Sequence, residues 1–311
     1  MTLFESVNQL AELPSDSQLV HFWWIAAFSE FVGTALLILL GNGVCAATSY
    51  KKMFANQSGK WICIALGWAF AVFLGATVSS AMGGLGHLNP AVTIFDNISA
   101  TKLDITNAGL YASKNLYYIA SQGFNLGLDA VIALTFFVFL GFQLTGAMFG
   151  QLVLNFLNHK FIKDTENDLL TIRGAHCTAP AYSNKQERAT LYNFSYELIG
   201  TLVLVGVILA LGHKRLSMPN AGALATIPVT FLIASIGLSL GSSTGYAINP
   251  VRDLGPRLIF VLTVAKTRRD SYEKGMGNFG YGWVPVVAPM VAGVIMGLLS
   301  LIPNITNTLW A

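Results

Sequence analysis

The chain of 311 residues is 54% hydrophobic and 11% charged, where soluble domains carry roughly 25% charged residues; with a mean hydropathy of +0.59 it reads as a polytopic membrane protein. A net charge of +3 without a dense basic cluster excludes nucleic acid as a partner. Cys45, Cys63 and Cys177 are an odd number at unrelated spacings, which indicates neither a metal centre nor a disulfide framework.

Residues 1–21 carry Glu5, Glu12 and Asp16 but no Lys or Arg, the wrong opening for a signal peptide, so they are expected to persist as a short polar tail. Six charge-poor runs then meet the roughly 20-residue criterion for crossing a bilayer. They are Phe22–Thr48, interrupted only by Glu30; Trp61–Met82; Ala130–Asn158; Tyr192–Gly212, interrupted only by Glu197; Leu216–Leu240; and Gly280–Ile302. Residues 303–311 form a second tail. Cys45 and Cys63 read as apolar helix residues and Cys177 as an inert loop thiol. Gly141, Gly146 and Gly150 in the third run, and Gly293 and Gly297 in the sixth, suit close helix crossings.

After the second and fifth runs comes the same dipeptide: Gly86-His87-Leu88-Asn89-Pro90-Ala91-Val92-Thr93, echoed by Gly245-Tyr246-Ala247-Ile248-Asn249-Pro250-Val251-Arg252-Asp253. Asn is a preferred N-cap and Pro is favoured at the first helical position, so each Asn-Pro reads as a helix start. Hydropathy places both starts deep in the membrane, where unsatisfied backbone groups cost several kcal/mol unless they face protein or a watery cavity. From Pro90 the apolar run reaches only Phe95 before Asp96 and Asn97, so that helix is expected to be short. About ten residues span ~15 Å, half of a ~30 Å hydrocarbon core. Two such half-helices meeting N-terminus to N-terminus would make one further span.

An internal repeat supports this division. Glu30-Phe31-Val32-Gly33-Thr34 and Glu197-Leu198-Ile199-Gly200-Thr201 each open an apolar run with Glu-x-x-Gly-Thr, 59 residues before Asn89 and 52 before Asn249. The order helix, helix, half-helix, helix recurs over residues 22–158 and 190–302. Three full spans per copy is an odd number, so the second copy is inverted relative to the first. The fold class read from this pattern is an all-α membrane protein of six transmembrane helices plus two re-entrant half-helices. Arg252, three positions after Asn249, is too close to the cap to be a snorkelling side chain, a reading that remains open for Arg257.

The two Asn-Pro boxes resemble those of the aquaporin and aquaglyceroporin (major intrinsic protein) family, over nearly the whole stretch from Phe22 to Ile302 outside an insert. The resemblance implies a channel of the glycerol facilitator type, passing glycerol, related small neutral solutes and water, and excluding protons and ions, with no cofactor and no catalytic residue. It implies a homotetramer in the lipid bilayer of the cell membrane, with both termini cytoplasmic. The selectivity filter then falls on Trp68, Gly237, Tyr246 and Arg252, and the midplane on Asn89, Pro90, Ala91, Asn249, Pro250 and Val251. A core or lipid-facing Trp is the alternative for Trp68. The family's role for Glu30 and Glu197 is to accept hydrogen bonds from the loop beside each half-helix. Gly237 would leave room for a carbon chain where water-selective members carry His. Trp68 and Tyr246 would make an apolar corner, and Arg252 would receive hydroxyls. Asp253 is expected to pin an outer loop through a charge contact. His87 reads as a pore-wall hydrogen-bonding residue, with a locally satisfied His as the alternative. A mainly water-selective channel is the nearest rival; a secondary transporter is the rival from another class. A membrane enzyme is the remotest reading, since no nucleophile, metal cluster or nucleotide loop appears.

The sequence departs from this pattern in three places. Val251 replaces the usual Ala, and its extra methyls are expected to crowd or displace the contact with the opposing half-helix, with the cap, the Pro and conduction retained. Residues 97–129 form an insert of roughly thirty residues, including Tyr111, Tyr117 and Tyr118, read as a passive loop with gating of the cytoplasmic mouth as the alternative. Finally, the family orientation leaves Lys102, Lys114, Lys214 and Arg215 inside. Lys51, Lys52, Lys60, five basic residues from Lys160 to Arg188 and four from Lys266 to Lys274 lie outside, the reverse of the positive-inside bias.

Overall fold

The computed structural model describes residues 16–101, 112–211 and 226–302, and the described residues hold no β-strand. Helix α1 (Asp16–Ser49) carries an acidic residue in its first turn, which complements the positive end of the helix dipole. At 34 residues it extends about 50 Å, beyond a ~30 Å hydrocarbon core. Helix α2 (Lys60–Ala81) follows, and then the half-helix α3 (Pro90–Ala100). Next come α4 (Ala112–Phe124), α5 (Leu128–Leu157) and two short helices, α6 (His159–Lys163) and α7 (Leu169–Gly174). The second copy comprises α8 (Thr190–Leu211), α9 (Ile227–Ser239), the half-helix α10 (Pro250–Ile259) and α11 (Val284–Ser300), the last preceded by a single turn, Phe279–Gly282. Among the described residues, five helical stretches are long and apolar enough to cross a membrane: α1, α2, α5, α8 and Phe279–Ser300. The sixth run is apolar and helical over Ile227–Ser239; its beginning lies outside the described residues, as do Tyr111, Lys102, Lys214 and Arg215.

The two copies interlock. Helix α1 packs on α2 and α5, and α8 on α11, while α2 also packs on α9. Each half-helix crosses into the other copy: α3 packs on α11, and α10 on α5. Glycines make these crossings close. A Cβ at Gly146 or Gly150 of α5 would lie 2.4 Å from Phe31 O or 2.3 Å from Ala35 O of α1, and one at Gly293 of α11 2.4 Å from Ala91 O. Gly297 faces Ile98 in the same way, but Gly141 meets nothing within 4 Å and takes no part in a crossing.

At 11 residues the half-helix α3 is short, close to the ten or so expected, and it continues through Asp96 and Asn97 to Ala100. The reason is that both polar side chains find partners inside the protein. Asn97 Nδ2 donates to Ile132 O at 3.0 Å, and the Tyr117 hydroxyl donates to Asp96 Oδ2 at 2.9 Å and to Asn97 Oδ1. Tyr117 belongs to α4, so the insert is not simply a loop. Leu116 and Ala120 of α4 join Trp23, Ala26, Ala27, Val131 and Phe139 in a buried apolar cluster, and Phe124 meets the Trp23 ring edge-on at 5.1 Å.

The links that follow α1, α5 and α10 gather at one end of the bundle. Lys52 Nζ lies 2.6 Å from Asp164 Oδ2 and 3.0 Å from Glu166 Oε1, and the lysine holds the Asp164 carboxyl below the usual carboxylate range. Arg268 Nη1 donates to the carbonyls of Ile162, Asp164 and Asn167, each at 3.1 Å. Some of the basic residues that violate the charge bias are therefore engaged in tying links together.

Candidate solute pathway

The two Asn-Pro boxes face each other. Asn89 and Asn249 have nearly the same extended backbone, φ −155°, ψ 117° and φ −156°, ψ 113°. Each side chain caps its own helix: Asn89 Oδ1 accepts from Ala91 N at 2.9 Å, and Asn249 Oδ1 from Val251 N and Arg252 N at 3.2 Å. Each also reaches across, Asn89 Nδ2 donating to Ile248 O and Asn249 Nδ2 to Leu88 O, both at 2.8 Å. An amide nitrogen carries two hydrogens, so each Asn keeps a second N–H for the cavity between them. Val251 is fully packed in the main apolar cluster. The Asn249 cap and Pro250 at the first helical position are kept with Val251 in the box.

The loops before the boxes repeat a second device. Gly86 and Leu88 have φ +66° and +52°, and Tyr246 and Ile248 have φ +34° and +42°. Such backbone costs a non-glycine residue of order 1–3 kcal/mol and persists only where its surroundings hold it. The fully buried carboxylates of Glu30 and Glu197 do so. Glu30 accepts from His87 N at 2.9 Å and Leu88 N at 2.7 Å, and Glu197 from Ala247 N at 3.1 Å and Ile248 N at 2.8 Å. In a trans peptide plane C=O points opposite to N–H. The carbonyls of Gly86, His87, Tyr246 and Ala247 are therefore turned away from the glutamates, and all four residues line the cavity.

That cavity has a volume of about 240 Å³. Its lining combines apolar side chains, Leu37, Val72, Val92, Leu204 and Ile233, with the residues of the turned carbonyls, His87, Asn89, Asn249 and Arg252. His87 Nδ1 lies 3.2 Å from Thr93 Oγ1, and its Nε2 lies 3.8 Å from Asp96 Oδ2, so the ring is both locally partnered and part of the wall.

Trp68, Tyr246 and Arg252 converge at the cavity wall. The Arg252 guanidinium carbon stands 3.9 Å from the Trp68 ring centroid, a cation–π contact, and its Nη1 has no protein partner although it is buried. Trp68 is a buried residue whose Nε1 donates to Cys45 Sγ at 3.4 Å, and a Cβ at Gly41 would be 2.4 Å from its ring. Gly237 sits against the Tyr246 ring and outside the cavity wall, where a Cβ would meet Tyr246 Cζ and Oη at 2.9 Å. The Tyr246 ring thus occupies the space beside the Gly237 Cα.

Next to Arg252, Asp253 Oδ2 accepts from Thr178 N at 2.8 Å and Thr178 Oγ1 at 2.6 Å, which ties it to the α7–α8 link. Its partner is Arg257, one turn on, with Nη2 2.7 Å from Asp253 Oδ1. Arg257 also donates to Gly277 O at 2.7 Å and Thr178 O at 2.8 Å and is completely buried, which removes the snorkelling reading. Sequence reasoning missed this arginine as a partner, although its i,i+4 spacing from Asp253 was a usable signal. It also missed Gln143, whose Nε2 donates to Glu30 Oε2 at 2.8 Å and Thr93 Oγ1 at 3.0 Å. Nothing local marks that glutamine in the sequence.

Two inverted copies of helix, helix, half-helix and helix around one amphipathic cavity define an aquaporin-type membrane fold. The chain belongs to the major intrinsic protein family, whose model matches residues 17–122 and 125–300. It is 39% identical over 277 residues to the "Probable glycerol uptake facilitator protein" of Mycoplasmoides gallisepticum, covering 88% of this chain and 96% of that one. It is 37% identical over 272 residues to the "Glycerol uptake facilitator protein" of Streptococcus pneumoniae strain R6, covering 88% and 96%. Its fold is similar to the crystal structure of the aquaglyceroporin from Plasmodium falciparum, with TM-score 0.65 and 28% identity over 90% of this chain and 96% of that one.

Proposed function

We propose that residues 22–302 form a passive channel for glycerol, related small neutral solutes and water, closed to protons and ions. The observation that carries this reading is the mixed lining of the cavity: residues of the turned carbonyls, two Asn amides and Arg252 together with aliphatic side chains. A short polyol suits both kinds of group, with hydroxyls on one edge and CH groups on the other. Its hydroxyls donate to the carbonyls of Gly86, His87, Tyr246 and Ala247 in turn and accept from Asn89, Asn249 and Arg252, so the solute exchanges water for protein partners as it advances. At the crossing, each half-helix presents roughly +0.5 of an elementary charge. That field repels cations and orients a water's oxygen toward both Asn side chains, which interrupts a proton wire. No covalent step is involved.

The relatives named as glycerol uptake facilitators support this substrate, and the family resemblance supports a homotetramer in the cell membrane with cytoplasmic termini. One observation favours the rival water channel: the Tyr246 ring fills the niche beside Gly237. Uptake of labelled glycerol into proteoliposomes separates the readings, including the carrier. A channel gives an initial rate linear in glycerol concentration and indifferent to an imposed proton gradient. Saturation or proton coupling would establish a carrier, and no uptake above protein-free vesicles would leave water as the solute.

A further inference from the structure

We infer that Gly241 and Trp61 complete the seat in which the Tyr246 ring rests against Gly237, and that these two are positioning residues that set the width of the filter without touching the solute. The inference deepens the channel reading above and rests on it for the identity of the solute. The two glycines lie one turn apart, at the end of α9 and in the 3-10 turn Gly241–Ser243. A Cβ at Gly237 would lie 2.9 Å from Cζ and Oη of Tyr246, and one at Gly241 2.5 Å from Cδ1 and 2.9 Å from Cγ. Together they accommodate the ring along its whole length, from the Cβ end to the hydroxyl.

Trp61, at the start of α2, closes the seat from the side. Its Nε1 donates to Gly237 O at 2.9 Å, and its ring meets Tyr246 edge-on with centroids 5.8 Å apart. A Cβ at Gly241 would also come within 3.0 Å of Trp61 Cζ2, so ring, glycine and indole are in mutual contact. Tyr246 needs such a seat, because its backbone is held at φ +34°, where a side chain is unfavourable. Its hydroxyl is buried without a protein partner, and Tyr246 lines the cavity with Trp68 and Arg252. Neither Gly241 nor Trp61 belongs to that wall. Any group added at Gly241 therefore has to displace the ring, and with it the part of the wall that Tyr246 shares with Trp68 and Arg252.

The test is a four-protein cycle of wild type, Gly241→Ala, Tyr246→Ala and the double variant, read as glycerol and water permeability of proteoliposomes. Gly241→Ala is expected to lower the glycerol-to-water permeability ratio by about tenfold, and Tyr246→Ala added to it should return glycerol flux to within about twofold of Tyr246→Ala alone, the signature of two residues acting through one contact. An unchanged ratio in Gly241→Ala, or a loss that persists in the double variant, overturns the seat. If Gly241→Ala does not assemble, as judged by gel filtration in detergent, Trp61→Phe keeps a ring against Tyr246 and removes only the N–H to Gly237 O. The seat then requires a changed ratio, and an unchanged one overturns it. If wild type conducts water but no glycerol, the proposed substrate fails, yet the same cycle read in water flow still decides the seat.

Discussion

Glu30→Gln should reduce glycerol flux by about tenfold or more at equal protein loading, because it removes the acceptor that holds one loop of carbonyls toward the path. The carboxylate receives His87 N, Leu88 N and Gln143 Nε2 on its two oxygens. A glutamine has one oxygen, and its NH₂ must then face a backbone N–H, leaving at least one buried donor without a partner. Hydrogen bonds to a charged group contribute about 1.5–3 kcal/mol each, enough to release Leu88 from the αL backbone that costs it about 1–3 kcal/mol. The Gly86 and His87 carbonyls would then lose their common direction. Stopped-flow glycerol permeability of reconstituted protein reads the effect; unchanged flux in Glu30→Gln would mean that the loop holds its shape without the charge.

The second large effect is on stability. Asp253→Ala leaves the guanidinium of Arg257 fully buried with Nε and Nη2 stripped of their carboxylate, and it frees Thr178 N and Oγ1 together. Breaking a buried pair from one side costs about 3–5 kcal/mol, whereas replacing both partners with well-packed apolar groups is far less harmful. Thermal unfolding in detergent should therefore show a marked loss for Asp253→Ala and recovery of much of it in Asp253→Ala/Arg257→Met. An Asp253→Ala protein as stable as wild type would show that the α7–α8 link is fixed by other contacts.

How much of this could be read in advance follows the range of the forces involved. The helix starts at Pro90 and Pro250 rest on capping within three residues, and each Glu-x-x-Gly-Thr rests on a repeat, so both were visible. Features that depend on a distant partner were not. The extension of α3 past Asp96 depends on Ile132 O and on Tyr117 from the insert, and the burial of Arg257 depends on Thr178 O, 79 positions away. Gly237 was legible as a small residue in the right place, but whether its space belongs to solute or to Tyr246 is a matter of side-chain packing. Gly141 carried the same small-residue signal as Gly146 and Gly150 and faces open space, because composition alone does not say which face of a helix meets a neighbour.

The most direct test of the central claim is light scattering of wild-type proteoliposomes after an osmotic step made with glycerol and then with sorbitol. The channel described here predicts rapid shrinkage in both, followed by re-swelling in glycerol at a rate well above that of protein-free vesicles and no re-swelling in sorbitol. Fast shrinkage with no re-swelling in glycerol would contradict it, and the cavity between the two Asn-Pro boxes would then be a path for water alone.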